Sequence, residues 1–183
     1  MVVNGMSDYL RDGTNSNSAL VVTVNADDIA RYGYGSDALA GMRFQQELER
    51  RAYTLAGGNY LAPCQGVKDF VEGKVSSQFD TQPSYPRGIT SVNLRKLLPE
   101  DISDTLAEAL IFFDRKINGF GSSGVLTGVE TRTSSPVKIT RNECYQSKIA
   151  NLYPVGEGAG YAGGIVSSAV DGLRVAIRLL DRF

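Results

Sequence analysis

The run Pro154-Val155-Gly156-Glu157-Gly158-Ala159-Gly160-Tyr161-Ala162-Gly163-Gly164-Ile165 sets one carboxylate, Glu157, among five glycines within nine positions. A glycine can adopt positive φ and lets a ligand approach the backbone closely, and each one costs folding entropy that an ordinary connection avoids. An apolar strand expected over Leu152–Val155 leads into this turn, and a helix is expected to leave it. That order builds an anion site, because first-turn N–H groups lack intrahelical partners and the helix dipole favours negative charge. A phosphate suits it. The alternative is a loop whose glycines only pack helix against strand.

A second stretch with chemical potential is Glu130-Thr131-Arg132-Thr133-Ser134-Ser135-Pro136, where a guanidinium stands among hydroxyls. Its plain reading is a Ser/Thr turn joining two strands. The chain has no histidine, which excludes a His base, a His-ligated metal and a Ser-His-acid triad within these residues. Cys64 and Cys144 lie far apart and outside any metal-ligand spacing, so two small buried thiols in a reducing compartment, the cytoplasm, are expected, with no metal site. A redox-active Cys144 is the minor alternative.

The glycine run continues into Ser167-Ser168-Ala169-Val170-Asp171-Gly172, and together they closely resemble the C-terminal flavin motif of FAD-dependent oxidoreductases. Within that superfamily the chain is most similar to the group called NAD(FAD)-utilising dehydrogenases. Asn4-Gly5-Met6-Ser7, Arg11-Asp12-Gly13, Ala62-Pro63-Cys64-Gln65 before Asp69-Phe70, and Glu130 to Pro136 also resemble the family's signatures. The resemblance implies FAD as cofactor, with NAD(P)H as the candidate electron donor. It implies that Glu157 accepts a hydrogen bond from the ribityl chain, where many relatives carry Asp. Gly156 and Gly158 would give clearance, and Gly163, Gly164 and Ile165 would bring helix N–H groups toward the pyrophosphate or the pyrimidine edge. Glu130, Arg132, Thr133 and Ser134 would lie near the flavin ring, with Arg132 and Thr133 as tentative catalytic positions: a guanidinium there could orient an anionic substrate or stabilise the charge of reduced flavin.

A complete FAD domain of this kind opens with strand, G-x-G-x-x-G turn and helix, followed by an acid for the adenosine ribose. Gly33-Tyr34-Gly35-Ser36-Asp37-Ala38 begins that way, but alanine occupies the last glycine place and no apolar strand leads directly into it. The chain therefore reads as the C-terminal portion of a longer enzyme, inactive alone. Two readings compete with the flavin one: a non-redox module that holds a phosphate-bearing ligand, and a structural or interaction domain.

These sites need elements to position them. Ala19–Val24 reads as a buried strand after a polar loop. A helix is predicted from about Asp37 to Leu55, capped by Ser36 and stopped by Gly57-Gly58, with Leu39, Met42, Leu48, Ala52 and Leu55 on its apolar stripe and Glu47, Glu49, Arg50 and Arg51 on its solvated face. Residues 62–85 read as a connector with a brief helix over Val67–Glu72. A clear helix starts near Pro99 and runs to Asn118-Gly119 with Ile102, Leu106, Leu110, Phe113 and Ile117 inward. Val125–Arg132 and Pro136–Arg141 read as a hairpin. The last helix, about Gly163–Leu180, is expected to bury Ile165, Ala169, Leu173, Ala176, Ile177 and Leu180, with Gly172 marking a close backbone approach.

With 42% apolar and 21% charged residues and a net charge of −1, the chain suits a globular protein, and offers no electrostatic case for nucleic acid or an anionic membrane. No run of about 20 apolar residues appears. The expected fold is α+β: a mixed substrate-side domain, residues 1–141, then residues 142–183 as the closing strand and helix of a Rossmann-like FAD/NAD(P)-binding domain. Such a piece would expose apolar surface and tend to self-associate.

Overall fold

The computed structural model describes residues 1–181. The fold is α+β, with five α-helices and one small mixed sheet among the described residues. It divides into two compact units, one formed by residues 1–28 and 46–130, the other by residues 29–45 and those from 131 onward.

In the first unit, β1 (Ala62–Gly66) is the central strand, flanked by parallel β2 (Ile89–Ser91) and antiparallel β3 (Val125–Thr127). Pro63 lies opposite Thr90, and Cys64 lies between Ser91 and Thr127. The expected connector thus contains the most buried strand of the molecule. Its small residues and its proline carry no β signature, yet Pro63 still accepts a bond at its carbonyl, from Gly128 N–H at 2.9 Å. Gln65 is fully buried and satisfied: its amide donates to Lys74 O at 2.6 Å and accepts from Leu94 N–H at 2.8 Å.

Strand β1 runs directly into α3 (Val67–Glu72), the range expected from sequence, which ends at Gly73 in the left-handed region with φ 72°. Helix α4 (Glu100–Lys116) has Pro99 at its N-cap, acids in its first turn and Arg115 and Lys116 in its last, as the dipole favours. It buries Ile102, Ser103, Ala107 and Leu110, while Phe112 and Ile117 are exposed. Val67, Phe70, Val92, Leu94, Leu97, Ala107 and Leu110 form the main core with Ala52. Residues 19–24 form no strand; they alternate between half-buried and exposed.

The chain passes between the units within two helices, α1 (Ala26–Arg31) and α2 (Ala40–Leu55). Asn25 opens α1, its side chain accepting from the Asp27 and Asp28 N–H groups at 2.9 and 3.1 Å. Helix α2 starts later than expected. Asp37, rather than Ser36, sits at its entry, accepting from Leu39 N–H at 3.0 Å and paired with Arg43. Its buried stripe is Ala40, Phe44, Leu48 and Ala52; Leu39 is exposed and Glu49 is buried.

In the second unit, residues 136–141 and 152–155 form no strands, so the expected hairpin and the strand before the glycine turn are both absent. Helix α5 (Ile165–Leu180) begins close to its expected start, with Gly164 at its N-cap. Its orientation is the reverse of expectation. Val175 is buried, with Ser168, Asp171, Gly172 and Leu179 partly covered on the same face, whereas Ile165, Leu173, Ile177 and Leu180 are exposed. Helical periodicity identifies an apolar face without saying that its partner lies in the same stretch of chain.

Candidate functional site

Without a strand to support it, the glycine turn holds itself by local bonds and by the segment before it. Gly160 N–H donates to Glu157 O at 2.9 Å and Tyr161 N–H to Gly156 O at 3.0 Å, closing a compact loop. Gly156 and Gly160 adopt φ of 67° and 79°, the left-handed region that favours glycine. A Cβ on Gly160 would lie 2.6 Å from Val137 O, so side-chain atoms have no room there. Ile139 N–H donates to Ala159 O at 3.1 Å, and Ser135 Oγ to Gly158 O at 3.3 Å. The segment that follows Arg132 and Thr133 therefore lies against the turn.

The anchor beneath it is an ion pair that the sequence reading missed. Arg141 meets Asp171 edge-on, Nη1 to Oδ2 at 2.9 Å and Nη2 to Oδ1 at 2.6 Å, with both side chains nearly covered. Nη1 also donates to Pro154 O at 2.7 Å, and Gly156 N–H donates to Asp171 Oδ2 at 2.9 Å. The guanidinium carbon lies 3.6 Å from the ring centre of Tyr161 and 4.8 Å from that of Tyr145. Arg141 first, and the Gly156 amide with it, hold the Asp171 carboxyl down at about 2. The signal available in the sequence was an acid placed within the apolar periodicity of the last helix.

Glu157 is half-buried, and its carboxylate has no hydrogen-bond partner among the described residues. Gly158 is exposed, and a Cβ built on it meets nothing within 4 Å. A Cβ on Gly163 meets only Ser134 Oγ, at 3.9 Å. Neither residue has positive φ, so neither backbone conformation nor internal packing calls for glycine at 158 or 163. This separates four of the five glycines into two kinds. Gly156 and Gly160 serve the turn; Gly158 and Gly163 leave open space, which fits a bulky planar or phosphate-bearing ligand lying against the backbone.

The N-terminus of α5 follows. Gly164 N–H is taken by Ser167 Oγ at 3.1 Å, while the first-turn residues Ile165 and Val166 are strongly exposed. The Gly156 N–H is likewise engaged internally, by Asp171, so Gly156 shapes the turn through its φ. Arg132 and Thr133 are exposed beside the turn's flanking segment, whose backbone is tied down by Gln45 Nε2 donating to Thr131 O at 2.8 Å.

Of the two thiols, Cys64 is fully buried, and burial pushes its pKa up. Cys144 is only half-buried, with Arg178 Nη2 at 3.7 Å from its sulfur. A cleft of about 210 Å³ lies in the first unit between Gly66–Asp69, Ser77–Asp80 and Ser122–Val125. It contains none of the expected cofactor contacts. Among the described residues no cluster of metal-ligating side chains exists, and no helix is long and apolar enough to cross a membrane.

Two comparisons bear on the chain. The family model described as "FAD-dependent protein, C-terminal domain-like" matches residues 1–133. An uncharacterized protein of Clostridium beijerinckii is 47% identical over 186 residues, an alignment that covers 100% of this chain and 34% of the relative. The chain spans about a third of that relative's length.

Proposed function

The chain belongs to the FAD-dependent protein, C-terminal domain-like family, and on that premise we propose that it is the C-terminal part of a longer flavoprotein oxidoreductase. Residues 1–141 would form its substrate side, and residues 142–183 would close a Rossmann-like FAD domain whose N-terminal G-x-G-x-x-G part lies elsewhere in the longer protein. When bound, FAD would supply the hydride-accepting ring, with NAD(P)H as donor. The chain's own residues would bind and orient. Glu157 offers a carboxylate acceptor to the ribityl chain, Gly158 and Gly163 leave backbone clearance, and the exposed first turn of α5 from Ile165 offers N–H groups to the pyrophosphate, the Gly164 N–H being held by Ser167. Arg132 and Thr133 would hold an anionic substrate beside the ring. A cytoplasmic location belongs to the same reading.

The observation that carries this proposal is the open space at Gly158 and Gly163, where glycine is not required by the fold. A packing-only loop would need its glycines, as Gly160 is needed against Val137. The exposed apolar face of α5 gives separate support, because in a longer protein it has a sheet to cover. The test is the visible spectrum of the purified longer protein. A flavin band at about 450 nm is expected; a colourless protein that stays colourless after FAD is added would leave the non-redox phosphate-ligand module as the better reading.

A further inference from the structure

We infer that Arg141 and Asp171 are the positioning residues of the glycine turn, a latch that fixes the backbone of Pro154–Tyr161 in its ligand-ready shape. The inference rests on the flavin reading for what the turn holds, and on geometry alone for what holds the turn. Three chain segments converge on the pair: the extended stretch ending at Arg141, the entry of the turn, and the second turn of α5. The bonds close a ring. Arg141 Nη1 grips Pro154 O, Asp171 Oδ2 accepts from both that Nη1 and Gly156 N–H, and Arg141 Nη2 completes the pair at Oδ1. One carboxylate therefore spans from helix to turn, and one guanidinium spans from the turn's carbonyl to the helix.

The arrangement is specific to these residue types. A bidentate contact with a carboxylate requires the planar fork of arginine, and the same plane lies against Tyr161, itself the last residue of the turn. Tyr161 adds a tie back to the incoming segment, its hydroxyl donating to Ile139 O at 3.1 Å. Lysine in place of Arg141 would keep the charge and lose both the fork and the stacking. Asparagine in place of Asp171 would keep an acceptor for Gly156 N–H and lose the charge that holds Arg141. Neither residue is assigned here to touch the cofactor; both act through the turn.

The test uses the longer protein with Asp171→Asn and Arg141→Lys, chosen because each retains part of the ring and so preserves the fold better than alanine. Two readouts are taken. Amide hydrogen exchange at Gly156, Gly160 and Tyr161 in the apoprotein reports the turn without any ligand, and the FAD dissociation constant reports its use. We expect exchange at these amides to rise by about tenfold or more in both variants, with the core amides of α3 and α4 unchanged. FAD affinity should fall in parallel by about tenfold. Unchanged exchange at the turn would overturn the latch, as would acceleration spread uniformly through the core. Loosened amides with unaltered FAD affinity would overturn its positioning role. A wild type that takes up no FAD would defeat the flavin reading instead, and exchange alone would then decide the latch.

Discussion

Glu157 and Asp171 are two acids in contrasting states: one carboxylate is without a partner among the described residues, and the other accepts three hydrogen bonds. Their substitutions should separate accordingly. Glu157→Ala removes a charged acceptor worth roughly 1.5 to 3 kcal/mol, so FAD should bind about one to two decades more weakly, while the apoprotein's unfolding midpoint barely moves. A large stability loss with unchanged FAD affinity would make Glu157 a structural cap. Asp171 should instead set the acid stability of the apoprotein. Its carboxyl is lowered from 3.8 to about 2, chiefly by Arg141, so its contribution is complete above the ordinary value and is lost as pH falls through the lowered one. That contribution is on the order of 2 kcal/mol. Unfolding measured between pH 5 and 1.5, limits on the order of those over which a paired aspartate titrates, should show the wild type losing its margin over Asp171→Asn below about pH 4. A constant margin across that range would remove the pair from the stability account.

At the scale of elements, α3 and α4 were legible: α3 matches its expected range, and Pro99 marks the start of α4, which ends at Lys116, short of the expected Asn118-Gly119 stop. Strand β1 was not. Ala62, Pro63, Cys64 and Gln65 are small or polar, and only the cover they receive from both neighbouring strands makes them the sheet's centre. The glycine turn was located correctly from its composition, but the strand assigned before it is a bonded loop held by Arg141. Such a long-range side-chain tie leaves no local pattern. Gly172 was read as a close approach, yet a Cβ there meets nothing within 4 Å. Gly172→Ala should therefore stabilise the isolated chain by about 1 kcal/mol, the ordinary helix preference for alanine. Thermal unfolding of the two chains checks this, and a lower midpoint for the variant would show that the position is crowded.

At the scale of the molecule, α5 keeps one face on its own unit and leaves Ile165, Val166, Leu173, Ile177 and Leu180 exposed, with Leu152 and Val155 also open. An apolar face of this extent is an association hazard when uncovered. The isolated 183-residue chain should show concentration-dependent association in sedimentation, and Leu173→Lys with Ile177→Lys should reduce it; a monomer at every concentration would count against a missing cover. In the proposed flavoprotein the turn's open glycines are there for FAD, and Gly158 is the position at which this is most directly tested. FAD should be titrated into the apo form of the longer protein as wild type and as Gly158→Val, with unfolding midpoints measured alongside. We expect the wild type to bind, and the variant to lose about tenfold or more in affinity at an unchanged midpoint, because its side chain fills space that only the ligand would use. Equal FAD affinity in the two proteins, or a variant that loses stability instead, would contradict the assignment of the turn to the cofactor.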